Sequence, residues 1–247
     1  MASLRDRFFL EGVHAVGEQI AFAADDARKI ATVLRGQNGD RVSVVDSAGV
    51  AFAAELIVDG VLVGGLLRER LETGTREPAV RIAIAQAIPK GQKMDLIVEK
   101  ATELGVAAIV PLRSARVTGD FTRDAKIERW QRIAKTAAQQ CGRTVVPAVS
   151  AVAGWDDVRA SFAGYDRVYM PWELADVRPL REVFEADAPS VGSVLFVIGP
   201  EGGFAADEVE RAVAAGARTV SLGRRILRTE TVALVMLAAF AYARGEL

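Results

Sequence analysis

The chain has 247 residues, 51% hydrophobic and 26% charged, which is enough to bury a sizeable core in one or two domains. A net charge of −1 gives no global argument for nucleic-acid binding. The single cysteine, Cys141, excludes an internal disulfide, and the single histidine, His14, excludes a Ser-His-Asp triad or a His/Cys zinc site in the C-terminal half.

Met1 to Arg7 has no apolar signal-peptide run, so a cytoplasmic protein is expected. The pattern then predicts a helix over 25–34, stopping before Gly36. Strands over 41–46, 50–58 and 61–67 are separated by Gly/Asp turns, the texture of a small β-barrel. The charged segment 69–78 lacks apolar periodicity and reads as a linker, giving domains 1–72 and 73–247.

Beyond it strands alternate with helices, as in a parallel α/β sheet. Strands are predicted over 80–88, 107–112, 166–170, 193–198 and 218–221. Helices are predicted over 93–104, 124–141, 207–215 and 231–244. The thirteen uncharged residues Thr231 to Ala243 are too short for a membrane span and fit a buried helix.

Ile127, Trp130, Ala134, Ala137 and Cys141 form one apolar seam on the helix over 124–141, with Arg129, Arg132 and Lys135 on another side. From Arg113 to Arg143 eight basic residues, Arg123 among them, face three acids, Asp120, Asp124 and Glu128. That surface suits phosphate, and equally a solvated helix face.

Two glycine-bearing loops follow strands near the C-terminus: Ile198-Gly199-Pro200-Glu201-Gly202-Gly203-Phe204, and Ser221 to Thr231. Ligands of open α/β sheets sit at the carboxyl ends of the strands, where glycine lets backbone groups approach them. No Gly-Lys-Ser/Thr follows Gly199, so the first loop is not a P-loop. In the second, Arg224, Arg225 and Arg228 suit planar or anionic groups, and Thr229 or Glu230 suits the start of a helix.

The two motifs, Ile-Gly-Pro-Glu-Gly-Gly-Phe at 198–204 and Ser-Leu-Gly-x-Arg-Ile-Leu-Arg-Thr-Glu-Thr at 221–231, resemble the RsmE family. These are the ribosomal RNA small subunit methyltransferases E, of the knotted SPOUT class. Arg7-Phe8-Phe9, Val33-Leu34-Arg35, Gly39-Asp40, Lys90-Gly91, Lys100 to Val106, Arg129-Trp130 and Ala137 to Gln140 with Arg143 match in order. The chain departs from the family pattern at Arg224, where Pro is usual, at Trp172, where His is common, and before Val33, where a histidine is missing.

The resemblance implies an α/β fold: an N-terminal PUA-like barrel that helps hold RNA, and a C-terminal SPOUT domain with a trefoil knot that binds S-adenosylmethionine. It implies a homodimer without metal that methylates N3 of a uridine, family position 1498, in 16S rRNA of the small ribosomal subunit. Cofactor contacts are implied for Met170, Pro171, Gly199, Pro200, Glu201, Gly202, Ser221, Leu222, Gly223, Ile226 and Leu227. The candidates for catalysis are Arg228, Arg225 and Glu201, with Glu230 as another proton acceptor; those for RNA binding are Arg7, Arg35, Arg113, Arg116, Arg129 and Arg143. A non-catalytic RNA-binding protein of the same fold is opposed by the two intact loops. A dinucleotide-dependent oxidoreductase is opposed by the missing Gly-x-Gly-x-x-Gly.

Overall fold

The computed structural model describes residues 2–60, 62–72, 77–117, 124–173, 180–187 and 190–247. Val61, residues 73–76 of the linker segment, Asp120 and Arg123 lie outside the described residues. Two compact units are formed, Met1–Glu77 with Ala138–Val145, and Pro78–Ala137 with Val146–Leu247. Among the described residues no helix is long and apolar enough to cross a membrane.

The first unit is a five-stranded sheet in the order β1-β3-β4-β5-β2. Its strands are β1 (Arg7–Phe9), β2 (Gln19–Ala21), β3 (Arg41–Val45), β4 (Ala51–Asp59) and β5 (Leu62–Arg70). β1 runs parallel to β3 and the remaining pairs are antiparallel. Period-2 alternation sends Val42, Val44, Phe52, Ala54, Leu56, Val63 and Leu67 into one core with Phe8, Ile20 and Phe22. β5 continues through Arg70, so the charged segment begins inside the sheet. The short β1 and β2 carry too few residues for a legible alternation and escape the sequence reading.

Helix α1 (Ala24–Arg28) runs into a π-helical turn, Lys29–Val33. Arg35 then takes φ 51°, the only positive φ outside glycine among the described residues. Segment 138–145 groups with this unit because its polar groups bond there. Gln139 donates to Asp26 and accepts from Lys29, and Arg7 donates to the carbonyls of Gly142 and Arg143.

The second unit is an all-parallel sheet in the order β12-β10-β11-β6-β7-β8, with β9 also on β7. The strands are β6 (Arg81–Ala87), β7 (Ala108–Arg113), β8 (Ala148–Val149), β9 (Ala153–Gly154), β10 (Arg167–Pro171), β11 (Ser193–Ile198) and β12 (Arg218–Val220). Both faces are covered, as parallel sheets require. Ile82, Ile84, Val194, Phe196, Ile198 and Tyr169 face the core made with helices α2 (Lys93–Glu103), α3 (Asp124–Cys141), α5 (Leu180–Asp187) and α7 (Thr229–Ala243). Ala83, Ala85, Ala87, Leu195, Val197 and Met170 face the other core, with α4 (Trp155–Ala160) and α6 (Ala206–Ala214).

Two features position the site. All strands of this sheet point the same way, so the loops after β6, β7, β10, β11 and β12 gather at one edge. β12 lies outside β10, yet α7, which follows it, packs on α2 and against β11 and β6. The chain therefore returns across the sheet after its last strand. The apolar seam of α3 is as the spacing predicts, with Trp130, Ala134 and Ala137 buried.

Candidate functional site

The carboxyl edge of the sheet brings together three of the predicted segments: Met170 to Glu173 at the end of β10, Gly199 to Phe204 after β11, and Ser221 to Arg228 after β12. Trp172 N–H donates to the Val220 carbonyl at 3.0 Å, which fixes the first segment beside the third. Gly203 has φ +65°, and a Cβ there would stand 3.1 Å from Glu173 Oε1. A Cβ on Gly199 would stand 3.1 Å from the ring of the buried Phe204. Glycine is needed at both positions, at one for backbone conformation and at the other for packing. Gly223, at φ +93°, turns the third segment outward with open space around it.

The candidate cofactor residues differ in what they present. Met170 is fully buried in the core, so its side chain packs and only its backbone is available. Pro200 is buried, Ser221, Leu222 and Leu227 are half-buried, and Gly202 and Gly223 are exposed. Ile226 is 94% exposed.

Thr229 belongs to α7 rather than capping it; the N-cap is Arg228, and no side chain caps that end. The Thr229 hydroxyl instead donates to the Gly199 carbonyl at 2.6 Å and accepts from Gln86 Nε2 at 2.9 Å. Gln86 is fully buried in β6, and its Oε1 has no hydrogen-bond partner. This corrects the capping role read from the sequence. Thr229 sits one position inside the N-cap, and its Oγ1 is taken up between Gln86 and Gly199 rather than accepting from the N–H groups of the first turn.

Arg225 and Arg228 are exposed, and their guanidinium groups make no hydrogen bond or ion pair among the described residues. Glu201 is engaged: Oε1 accepts from Lys93 Nζ at 2.9 Å and from Lys90 N–H at 3.1 Å. Burial alone pushes its carboxyl up, but the Lys93 ammonium and the backbone donors outweigh it and hold the group below its ordinary value. A carboxylate so stabilised is a poor proton acceptor. Lys93 also stands 3.6 Å from Glu230, whose buried Oε2 accepts no hydrogen bond.

Lys93 is a residue the sequence reading passed over. It is the first residue of α2, where a cation opposes the helix dipole. A lysine where acids are usual was the available signal. Gln86, a polar residue inside the apolar run of β6, was another.

The candidate RNA-binding arginines do not form one set. Arg113 and Arg116 are exposed at the end of β7, beside the site; Arg116 donates to the Gly202 carbonyl at 2.5 Å. Arg129 pairs with Asp95, which also accepts from Trp130 Nε1 at 3.1 Å. Arg7 and Arg35 lie in the first unit, Arg7 half-buried and Arg35 exposed. Arg143 is 4% exposed, with its Nη2 2.6 Å from Glu77 Oε2. Burial and this pairing leave it no surface for RNA, which corrects that expectation.

Residues 75–241 match the RNA methyltransferase domain family. The chain is 33% identical to ribosomal RNA small subunit methyltransferase E of Bacillus subtilis over 96% of each chain. It is 32% identical to the enzyme of that description in Mycobacterium bovis, over 94% of this chain and 89% of the relative. Among solved structures it is similar to a ribosomal RNA small subunit methyltransferase E from Neisseria gonorrhoeae bound to S-adenosylmethionine. There the TM-score is 0.83 at 30% identity, covering 96% of this chain and 97% of that one.

Proposed function

The chain belongs to the ribosomal RNA small subunit methyltransferase E family, and we propose that it methylates N3 of a uridine, family position 1498, in 16S rRNA of the small ribosomal subunit. The observation that carries this is the convergence of the Gly199 and Ser221 loops at one sheet edge. They are joined through Thr229, with two unengaged arginines at their rim.

The residues present suit S-adenosylmethionine, the cofactor of the family. The loops offer backbone N–H and C=O groups next to half-buried Leu222 and Leu227, a lining for a ligand part apolar and part polar. Pro171, Gly199, Pro200, Gly202, Ser221, Leu222, Gly223, Ile226, Leu227 and the backbones of Met170 and Glu201 would hold it. Bound there, the cofactor supplies an electrophilic methyl group on its sulfonium.

The chain's own residues must orient the uracil and favour loss of the N3 proton. Arg228, at the N-cap of α7, adds its charge to the positive end of that helix, and Arg225 lies three residues earlier. Together they stabilise negative charge developing on the uracil oxygens. Glu201 anchors its loop through Lys93. Glu230, in the first turn of α7, is the other candidate proton acceptor. N3 lies on the pairing edge, so the target uridine must be unpaired or extruded.

Further features of the reading follow from the family. The five-stranded unit serves as a PUA-like barrel that holds RNA together with Arg7 and Arg35, and Arg113, Arg116 and Arg129 add charge on the second unit. The return of α7 across the sheet suits a SPOUT trefoil knot. Leu234, Val235, Ala238 and Tyr242 form an outward apolar stripe on α7, with Tyr242 76% exposed; a second copy in a homodimer would cover it. The reaction belongs in the cytoplasm, where ribosomal subunits are assembled, and needs no metal.

The test is methyl transfer from labelled S-adenosylmethionine to unmodified small subunits, mapped by reverse transcription. A stop at one uridine is expected, because a methyl on N3 blocks pairing. Binding of S-adenosylhomocysteine without incorporation would remove the substrate assignment and leave the cofactor site.

A further inference from the structure

Lys93 breaks a local rule: it puts a cation on the first turn of α2, at the positive end of the helix. What compensates it comes from two other elements. Glu201, in the loop after β11, is 2.9 Å away, and Glu230, in the first turn of α7, is 3.6 Å away. The Glu201 interaction raises the lysine above its ordinary pKa, so it stays protonated across the neutral range. One cation therefore sits between two carboxylates. Neither has another side-chain cation among the described residues, and Glu230 Oε2 is buried without a hydrogen bond. Glu201 is next to Gly202, and Glu230 is two residues from Arg228.

We propose that Lys93 is a positioning residue of the methyl-transfer site, holding the Gly199–Gly203 loop against the start of α7 so that Arg228 stands at a fixed place over the cofactor cradle. This rests on the function proposed above. Without the ammonium, the two carboxylates that flank it would repel each other uncompensated, and the loop and the helix start would be driven apart. The tie acts on the loop and on Arg228 together, so its loss affects binding and transfer at once.

The test compares Lys93→Gln, Lys93→Arg and the double variant Lys93→Gln/Glu201→Gln by calorimetric binding of S-adenosylhomocysteine and by single-turnover methyl transfer. Lys93→Gln is expected to weaken binding about tenfold and to slow transfer further at saturating cofactor. Lys93→Arg should restore most of both. The double variant removes one carboxylate and so relieves the repulsion; it should bind better than Lys93→Gln alone, which a role in folding alone does not predict. Wild-type binding by Lys93→Gln, or a double variant no better than the single, overturns the proposal. Failure of the wild-type protein to bind S-adenosylhomocysteine would overturn the cofactor site itself.

Discussion

The Thr229 hydroxyl lies 2.6 Å from the carbonyl of Gly199, so the first turn of the last helix holds the loop after β11 through one hydrogen bond. The amide of buried Gln86 donates to the same hydroxyl, and the three groups form a chain from the sheet centre to the loop. Thr229→Val keeps the shape and removes both bonds. A stability loss of about 1–3 kcal/mol is expected, with weaker S-adenosylhomocysteine binding, while Thr229→Ser retains both properties. Chemical denaturation and calorimetry check this; a valine variant matching wild type would show that the hydroxyl holds nothing.

Gly203 and Gly216 both sit at positive φ, +65° and +96°, and only Gly203 is in the candidate site. Alanine at either is expected to cost about 1–2 kcal/mol of stability through backbone strain. Only Gly203→Ala should also lower cofactor affinity. Equal affinities in the two variants would remove the loop from the site.

Arg228→Ala is expected to slow methyl transfer by roughly 10²-fold and to leave S-adenosylhomocysteine binding near wild type, because the side chain acts on charge that develops in the substrate. Arg225→Ala should show the same separation. Parallel losses of transfer and binding would make these arginines cofactor contacts.

Arg35 holds a left-handed backbone without being glycine. Arg35→Gly should therefore raise the stability of the first unit by about 1 kcal/mol, while lowering affinity for small-subunit RNA through the lost charge. Thermal melts and filter binding read the two opposite effects. A variant that melts earlier would show that the arginine makes a stabilising contact.

Glu77 and Arg143 supply a pH-dependent term within the first unit. Burial pushes the Glu77 carboxyl up, but Arg143 and the backbone N–H groups of Thr144 and Val145 outweigh it, so its folded value is depressed. A depressed carboxylate stabilises the fold above its unfolded pKa, and that contribution is lost as pH falls through the folded value. Stability should therefore drop as pH is lowered from about 5. Glu77→Gln should flatten that part of the profile and lower stability at neutral pH. An unchanged acid limb would assign the loss to other carboxylates.

Along the chain, local patterning made the main elements legible. Short apolar runs bounded by turns or helical patterns marked β3 to β7 and β10 to β12, three-four spacing marked the buried face of α3, and glycines after strands marked both loops. These signals are written in neighbouring residues. The short strands β1, β2, β8 and β9, and helices α4 and α5, lack enough repeats to show a period. The motifs also located the candidate cofactor segments, but they did not say which side chains were available. Arg143 reads as a surface cation and is buried against Glu77; Thr229 reads as a cap and bonds Gly199; Glu201 reads as a base and is neutralised by Lys93. Sequence by itself determined the longer elements, the α/β texture and the family, because periodicity and contiguous motifs are local properties. The tertiary structure alone decided which charges pair, since partners such as Lys93, Glu201 and Glu230 meet only when parallel strands bring distant loops to one edge.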